Sequence, residues 1–506
     1  MDLNLFGGIT RIFSVRGWAL EARLLRWMTL LWISVGMVVL FSASYPVAEA
    51  AFNDGARYFK IQMIWVVVGL CISRWITRNP ITQIMRLSGF FLLVCMLLVM
   101  ATHIPGVGVS VNGATRWLPM GPFLIQPSEL MKPFLVMHSA QLFGKWHKLT
   151  VRTRLIWLGI FTSGLLLILA QPNLSTTAVC GITIWLIALA AGIPYRQLFL
   201  TAGTGFMAAV VSVSVKSYQR DRIVSFLDPW ADPGGNGYQL LQSLYAIGSG
   251  GAGGVGYGLS VQKIYYLPIQ YTDFIFSVFA EEFGFIGCIM LLLFLSVYST
   301  VALMVAIQAK KNVHRLVAIG CMVLLIGQSL VNIGVATGTL PTTGLPFPLF
   351  SYGGSSMIAS LITAGVLIRV ARESRDADVL SLSRPLDRDA GGSSVLPEGN
   401  VGFSRTARQL RKSAPKLQKP FAQTSELRKS RKASAEKDVR TAYNLMKKTA
   451  RRVTKSPLKI SLTKPVVAPP SAVSASAPSV MKPTANPSDI GSFSPEENAV
   501  SSGERT

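Results

Sequence analysis

The segment LIWLGIFTSGLLLILAQPNLSTTAVCGITIWLIALAAGIPY, from Leu155 to Tyr195, is a run of 41 residues without a charged side chain. One membrane-spanning helix needs about 20 mostly apolar residues, so the run has twice the length of one crossing. The polar sequence QPNLS (Gln171–Ser175) interrupts it near the middle. The segment therefore predicts two membrane helices joined by a short turn, and a chain that crosses the membrane repeatedly.

The composition of the whole chain also indicates a membrane protein. Half of the 506 residues are apolar and only 14% are charged, whereas soluble proteins carry about 25% charged residues. The net charge of +25 is unevenly placed along the chain, so it does not by itself indicate nucleic-acid binding, and no nucleic-acid partner is expected. No cysteine and histidine residues have the spacing of metal ligands, and the sequence identifies no metal site.

Apolar runs along the chain predict an all-α polytopic membrane protein with about ten transmembrane helices. Leu316–Ile368 is again of double length, and a Pro/Gly-rich segment divides it into two spans. The predicted spans are Trp27–Ala48, Tyr58–Ile76, Leu87–Thr102, one from about 126 to 144, two within Leu155–Tyr195, Gln197–Val215, one within Asp273–Gln308 and two within Leu316–Ile368.

The fourth predicted span is unusual because its uncharged part, Pro133–Gly144, is too short to cross a membrane. The span has to begin near Gln126 and include Glu129 and Lys132, which are three positions apart and share one helix face. Charged side chains inside a membrane usually face a partner or a wet cavity. The pair is therefore either a structural ion pair between packed helices or part of a functional site.

The distribution of basic residues predicts how the spans are oriented. Arginine and lysine concentrate before the first span and in alternate loops, and such loops are normally cytoplasmic. Both termini are therefore predicted to be cytoplasmic, with an N-terminal arm at 1–26, a transmembrane domain at 27–371 and a tail at 372–506. The two long loops, about 103–127 and 216–272, are predicted to face outward.

The predicted tail differs from the rest of the chain in composition. It holds 25 of the 49 basic residues and 13 of the 24 acidic residues, and it is rich in Ser, Pro, Ala and Lys. This composition predicts a largely disordered, basic cytoplasmic tail. Two arrangements fit its charge: a solvated tail held near the membrane, or a basic helix at Ser434–Val453 on an anionic membrane surface.

The two outward loops collect polar residues that are suited to an anionic lipid headgroup. Arginine and lysine bind diphosphates well, and a single carboxylate among them is suited to act as a base. These residues alone do not distinguish a transporter from a transferase that acts on a lipid-linked substrate. They are Arg116 and Trp117 in the first loop and Arg220, Arg222, Gln239, Lys263 and Asp273 in the second.

Two features close to Asp273 complete this part of the sequence. The glycine-rich segment Gly248–Gly258 lies between membrane spans, so it is predicted to be a tight or re-entrant loop that packs against helices or a lipid headgroup, and not a nucleotide site. Glu281 and Glu282 follow Asp273 in the same apolar segment, and at about 100° per residue Glu281 would project about 80° from Asp273. Glu281 is therefore predicted to face the same cavity, with Lys132 as a candidate partner.

Five motifs of the chain closely resemble those of the SEDS family, the shape, elongation, division and sporulation proteins. The motifs occur in the same order as in the family, and the resemblance extends over about 27–371 without the tail. It is closer to the members that act in division. The motifs are NGATRWL (Asn112–Leu118), QPSELMK (Gln126–Lys132), YQLLQSLYAIGSGG (Tyr238–Gly251), YTDFIFSVFAEEFGFIG (Tyr271–Gly287) and LPFPLFSYGGSS (Leu345–Ser356).

The resemblance implies a peptidoglycan glycosyltransferase that polymerises lipid II at the outer face of the bacterial cytoplasmic membrane. It also implies a class B penicillin-binding protein as partner, together with other division proteins, and a location at the division septum. Separately from the resemblance, the charge of the tail suggests that its basic segment binds cytoplasmic division proteins. A divalent cation, Mg²⁺ or Mn²⁺, would suit the leaving diphosphate, although the sequence does not require one.

The family's catalytic aspartate falls on Asp273, and its glutamate, lysine and arginine positions fall on Glu129, Lys132 and Arg116. The other predicted supporting or substrate-binding residues are Trp117, Arg220, Arg222, Gln239, Lys263, Glu281, Ser351 and Tyr352. Family members often read Q-P-D-x-G where this chain has QPNLS. An essential carboxylate at that turn is therefore not expected here.

Two other functions fit the same sequence. A lipid II flippase would also combine embedded charges with helices broken by proline and glycine. A non-catalytic division scaffold would use its helix faces and tail to recruit partners. The candidate polar residues gather on the outward side, which favours a transferase over a transporter.

Overall fold

The computed structural model describes residues 18–382 apart from 112, 113, 122 and 265, and the side chains of 111, 114 and 375–382 are also outside the description. The described chain is mostly helical, as predicted. The first residues of the predicted disordered tail, 372–382, instead continue the last helix, and the rest of the tail lies outside the described residues. The helices are α1 (Leu20–Phe52), α2 (Arg57–Arg78), α3 (Ile81–Ala101), α4 (Pro127–Phe143), α5 (Val151–Ala170), α6 (Leu174–Ala190), α7 (Tyr195–Val215), α8 (Ser217–Leu227), α9 (Tyr238–Ser249), α10 (Ile275–Gln308), α11 (Asn312–Met322), α12 (Gln328–Ala336) and α13 (Gly354–Leu382).

Eight helical segments of the described chain are long and apolar enough to cross a membrane. They are α1, α2, α3, α5, α7, α10, α13 and the continuous segment from α11 through a π-helical turn (Val323–Gly327) to α12. Helices α4 and α6 have 17 residues each and lie where the fourth and sixth spans were predicted. The chain is therefore a polytopic membrane protein.

The uncharged 41-residue run divides into α5 and α6, as predicted. Asn173 stands directly before α6, and its side-chain oxygen accepts a hydrogen bond from the Thr176 N–H at 3.3 Å. This bond satisfies one of the N–H groups that a helix start leaves without a partner. Asparagine caps a helix about as well as aspartate, so the departure from the family's Q-P-D-x-G pattern retains this structural role.

The predicted outward loops are folded to a greater extent than the sequence suggested. The first contains a three-stranded antiparallel sheet, with β1 (Val109–Val111), β2 (Ala114–Met120) and β3 (Phe123–Ile125) in that order. Valine, threonine and tryptophan favour extended chain, but the runs are too short to stand out from a loop in the sequence. The second loop contains α8 and α9.

Helix α10 is interrupted at Gly284, whose φ of 64° and ψ of −167° are not helical. The glycine-rich segment fills the interruption through four backbone hydrogen bonds. They run from Val255 N–H to Glu281 O (3.0 Å), Gly256 N–H to Glu282 O (3.2 Å), Phe285 N–H to Gly251 O (2.9 Å) and Ile286 N–H to Ala252 O (3.1 Å). A broken helix in a membrane needs such replacement partners, so the prediction that this segment packs closely against helices is confirmed.

The close contact between the glycine-rich segment and α10 leaves no room for side chains at two glycines. A Cβ atom on Gly254 would lie 2.2 Å from the Glu282 carbonyl oxygen, and one on Gly284 would lie 2.2 Å from the Gly254 nitrogen. Both glycines also have positive φ values, of 83° and 64°. Glycine is therefore required here by conformation and by space.

Replacing Gly284 with alanine is expected to destabilise the protein by about 2 kcal/mol or more, because it adds a strained φ to a backbone clash. The measurement is thermal unfolding of the purified full-length protein in detergent. The matched control is Gly203→Ala in α7, where a Cβ atom would contact nothing within 4 Å. An equal melting temperature for both variants would contradict the proposed contact.

Candidate active site

Asp273 lies immediately before α10 and borders a space that it shares with Arg116 of β2. A Cβ atom placed on Gly344 would lie 3.8 Å from Asp273 Oδ2 and 3.9 Å from Arg116 Nη1, so both groups reach the same region. Arg222 of α8 is also near enough to stabilise the ionised form of Asp273. Within the described chain the carboxylate has no ion-pair partner inside 4.0 Å. The fold thus brings two of the predicted arginines, Arg116 and Arg222, to the unpaired carboxylate of Asp273.

The backbone that carries Asp273 is held by hydrogen bonds to three consecutive carbonyl groups. The bonds run from Tyr352 N–H to Tyr271 O (2.9 Å), from Ser351 Oγ to Thr272 O (2.5 Å) and from Asn332 Nδ2 to Asp273 O (2.8 Å). They fix the position of the residue but leave its carboxylate free to react. This arrangement suits a pre-positioned base, and it gives the predicted residues Ser351 and Tyr352 a positioning role.

Asn332 was not singled out from the sequence. Its amide donates a second hydrogen bond, to Leu345 O at 2.9 Å, and the residue is buried. It therefore connects α12 both to the segment before α10 and to the segment before α13. The sequence feature that could have revealed Asn332 is a polar side chain inside an apolar span. It lies four positions after Gln328 and on the same helix face.

Gln62 of α2 is a second residue that the sequence did not reveal. Its amide nitrogen donates to Ser351 O, and its amide oxygen accepts from Gly353 N–H, both at 3.2 Å. Nearby, Tyr58 stacks on Tyr271 with ring centroids 4.8 Å apart. Helix α2 thus supports both segments that hold Asp273 in place.

Arg116 connects the sheet to the turn between α5 and α6. Its Nε donates to Gln171 O at 3.1 Å and its Nη2 donates to Pro172 O at 2.7 Å. Backbone carbonyls therefore fix two of its nitrogens, and Nη1 borders the space beside Gly344 that Asp273 also borders. The turn therefore holds Arg116 through backbone carbonyls and needs no carboxylate for this contact.

Arg222 is held over the same region by α8. Its Nη1 donates to Thr342 O at 3.2 Å, its Nη2 donates to the Tyr218 hydroxyl, and the guanidinium lies 4.6 Å from the Tyr218 ring centroid. Lys216, at the end of α7, donates to Leu169 O at 2.8 Å. Burial lowers the pKa of Lys216, and the positive charge of Arg116 lowers it further. Lys216 is therefore a further cation near Arg116 that the sequence analysis did not select.

Three other predicted residues lie at the edges of this region. Arg220 is exposed on α8. Gln239 donates to Pro268 O at 3.2 Å and so binds the loop that precedes Asp273. Trp117 is half-buried on β2 and opposes Val109 across the sheet.

Burial raises the pKa of Asp273 to about 6; Arg222 and Arg116 oppose the rise, and Glu129 adds to it. Part of the residue reaches the surface, but protein surrounds it on most sides and removes water that would stabilise the charge. A carboxylate with this pKa is ionised at neutral pH and still basic enough to accept a proton in a transition state.

Glu129 and Lys132 share one face of α4 and form a buried ion pair. Lys132 Nζ lies 2.6 Å from Glu129 Oε1 and donates to Gln328 Oε1 at 2.9 Å, while Gln328 Nε2 donates to Pro346 O at 2.7 Å. The pair thus connects α4 to α12 and to the segment before α13. The cavity beside it, about 10 Å³, has room for about one water. The pair is a structural ion pair between packed helices. It also bears on the candidate site, because the negative charge of Glu129 raises the pKa of Asp273.

Lys263 and Glu281 have partners other than Asp273, so the described contacts do not support their predicted roles beside it. Lys263 Nζ forms a buried ion pair with Glu282 Oε1 at 2.7 Å and also donates to Ser42 Oγ at 2.7 Å. Glu281 accepts hydrogen bonds from Ser260 Oγ at 2.5 Å and from a backbone N–H of the same loop at 2.9 Å.

The angle of about 80° predicted between Asp273 and Glu281 does not apply, because Asp273 is not part of the helix. Phe274 has φ −113° and ψ 23°, and regular structure begins at Ile275. Angles counted from Asp273 therefore have no meaning at Glu281. Lys132 is engaged by Glu129, so it does not serve as partner of either downstream glutamate.

Within the described ranges no three His, Cys, Asp or Glu side chains form a group that could hold a metal ion. A divalent cation at Asp273 would take one ligand from this carboxylate and the others from substrate oxygens and water, a common arrangement for Mg²⁺. Arg116 and Arg222 supply positive charge to the region with or without such a cation.

Comparison of the sequence with known proteins gives matches over most of the chain. Residues 22–376 match the cell cycle protein family of FtsW, RodA and SpoVE. The chain is 54% identical over 369 residues to the probable peptidoglycan glycosyltransferase FtsW of Synechocystis sp., covering 73% of this chain and 94% of that protein. It is 37% identical over 354 residues to the stage V sporulation protein E of Bacillus subtilis, covering 69% of this chain and 96% of that protein.

Solved structures show the same architecture. A chain from a peptidoglycan synthase complex that coordinates polymerization and crosslinking has 29% identity and a TM-score of 0.58, covering 71% of this chain and 99% of that chain. The rod shape determining protein RodA of Thermus thermophilus has 25% identity and a TM-score of 0.53, covering 71% of this chain and 98% of that chain.

Proposed function

Because the chain belongs to the cell cycle protein family of FtsW, RodA and SpoVE, we propose that it is a peptidoglycan glycosyltransferase that polymerises lipid II. One observation carries this proposal. Asp273 is an unpaired carboxylate on a fixed backbone, and Arg116 reaches the same space. A transferase needs a base and a cationic site for the leaving diphosphate around the same space.

The proposed reaction is a direct displacement at a sugar carbon. A sugar 4-hydroxyl oxygen forms a bond to the anomeric carbon of the other substrate, and the bond from that carbon to the polyprenyl diphosphate breaks. Asp273 accepts the hydroxyl proton, while Arg116 and Arg222 stabilise the negative charge that develops on the diphosphate. Attack from the opposite face inverts the configuration, so a single base suffices and no covalent intermediate forms.

The test of this proposal is the formation of glycan strands from purified lipid II by the purified full-length protein. The expected result is polymer whose length grows with time. A second assay measures the transfer of labelled lipid II across a proteoliposome bilayer. Lipid transfer without polymer would support a flippase instead, and the absence of both activities, alone and with the partner, would support a scaffold.

The partner and location follow from the same proposal. A class B penicillin-binding protein would cross-link the new strands, and support comes from the similar chain that belongs to a peptidoglycan synthase complex. The protein would lie in the bacterial cytoplasmic membrane at the division septum, with lipid II on the outer side, both termini in the cytoplasm and other division proteins near the tail. Co-purification with the candidate partner and septal localisation of a fluorescent fusion test these points.

Arg222→Gln is expected to lower kcat/KM for lipid II by roughly 10²-fold, the usual cost of removing one group that stabilises transition-state charge. Arg220→Gln is the matched control, because Arg220 lies on the same helix but is exposed. It is expected to retain nearly full activity in the same initial-rate assay. Equal losses in both variants would show that general surface charge, and not the position of Arg222, is responsible.

A further inference from the structure

A second polar cavity lies at the end of the helical bundle opposite Asp273. It is formed where α4 ends, where α6 ends and where α11 begins, and it measures about 140 Å³. This is several times the roughly 10–15 Å³ that one water needs. Its charged or polar lining residues are Lys145, His147, Lys148, Asn312 and Arg315.

The walls of this cavity are well defined. Gly144 allows α4 to approach α11, because a Cβ atom there would lie 2.7 Å from the Val313 side chain. Trp146 is buried beneath the turn, packs against Phe143 with ring centroids 5.5 Å apart, and is covered by the Arg154 guanidinium at 5.0 Å. The floor of the cavity is therefore packed, and its basic residues line one opening, where Lys145 and Lys148 are exposed.

The charge of this cavity is positive and uncompensated. Lys145, Lys148 and Arg315 form no ion pair among the described side chains. The N-terminus of α11 has no side-chain cap, and a helix N-terminus carries about +0.5 charge. The ends of α4 and α6 contribute about −0.5 each, which does not offset three full positive charges.

We propose that this cavity binds the phosphate group of an anionic phospholipid. Basic side chains and free helix N–H groups are the usual ligands of a phosphate, and basic cavities between membrane helices are known to take lipid headgroups. The lipid is favoured as source because α5 begins three residues after Lys148 and exposes apolar side chains there. Val151 is 66% exposed and Leu155 is 63% exposed, so acyl chains have a surface beside the cavity.

The site is separate from the proposed glycosyl transfer. Asp273 lies at the opposite end of α4 and of the α11–α12 segment, which link the two regions. The proposal therefore does not depend on lipid II polymerisation, and it can fail or succeed independently of it.

The test measures lipid binding to the full-length protein in neutral detergent. Phosphatidylglycerol is titrated against the protein, and bound lipid is counted by native mass spectrometry, with phosphatidylcholine as the uncharged comparison. Three variants are compared with the wild type. They are the cavity variant Lys145→Gln/Lys148→Gln/Arg315→Gln, the control variant Arg78→Gln/Arg86→Gln/Arg196→Gln, and Ala191→Phe, which fills the cavity without changing charge.

The expected loss of phosphatidylglycerol affinity is about fivefold per charge removed from the cavity, since each basic residue near a lipid surface contributes about 1 kcal/mol. Ala191→Phe is also expected to weaken binding, and the control variant to change it less than the cavity variant. If the cavity variant does not fold, Lys148→Gln alone is expected to show the fivefold loss. Equal losses in the cavity and control variants, or equal binding of the two lipids, would overturn the proposal.

A competition experiment identifies the source of the phosphate group. Inorganic phosphate at millimolar concentration is added to the protein with phosphatidylglycerol already bound. Retention of the lipid supports a lipid site with contributions from acyl chains. Displacement of the lipid by phosphate in the wild type would overturn the lipid assignment and identify a site for soluble phosphate.

Discussion

Asp273→Asn protein is expected to polymerise lipid II roughly 10²–10⁴ times more slowly than the wild type, the usual contribution of a general base. Asparagine has nearly the same size but cannot accept the hydroxyl proton. The hydrogen bonds that position this segment end on backbone carbonyls, so the substitution leaves them in place. The measurements are the initial rate of polymer formation and thermal unfolding, which is expected not to show a loss of stability.

The pH dependence of the wild type provides a second readout of the same residue. The pKa of Asp273 is about 6, raised by burial, and the base is active only when ionised. Activity should therefore rise with pH through about 6, with roughly a tenth of the sites ionised at pH 5. This limb should be absent in Asp273→Asn. It should move to higher pH in Arg222→Gln, because Arg222 lowers the pKa of Asp273.

The control for this prediction is Asp221→Asn, which removes a neighbouring carboxylate on α8. It should retain near wild-type activity and the same pH limb. If Asp273→Asn instead polymerised lipid II at the wild-type rate, Asp273 would be only a counter-ion for Arg116 and Arg222. The base would then have to be sought elsewhere.

The helices of this protein could be predicted from the sequence because their signal is local. An uncharged run of sufficient length has few alternatives in a membrane, and QPNLS divides its run at the observed turn. Arg116, Arg222 and Asp273 were also accessible, because unusual polar residues in outward loops between apolar spans stand out. Motif resemblance selected Asp273 among them.

The contacts between distant segments could not be predicted in the same way. Asn332 and Gln62 act by donating to or accepting from backbone groups far along the chain, and such bonds have no sequence pattern. The break at Gly284 depends on the glycine-rich segment entering α10, so a regular helix was the natural expectation. The partners of Lys263 and Glu281 were misjudged for this reason, because both depend on the path of that loop.

Lys263→Met is expected to be among the most destabilising single substitutions in the described chain, at about 3–5 kcal/mol, because it leaves a buried carboxylate without its counter-ion. Glu282 is buried, and its Oε2 already has no hydrogen-bond partner. Without Lys263, only Ser42 Oγ would still donate to this carboxylate. The measurement is thermal unfolding in detergent, and the double variant Lys263→Met/Glu282→Gln should recover much of the loss by removing the charge.

Comparison with an exposed ion pair separates burial from charge. Lys60 and Asp54 lie 3.0 Å apart with side chains that are 65% and 40% exposed, so Lys60→Met should not change the melting temperature measurably. Activity then distinguishes the two roles considered for Lys263. If it bound the substrate diphosphate, Lys263→Met would lose activity and keep its melting temperature, and the double variant would not recover activity. If it holds the loop against α10, stability and activity should fall together and recover together, since this loop leads directly into the segment that carries Asp273.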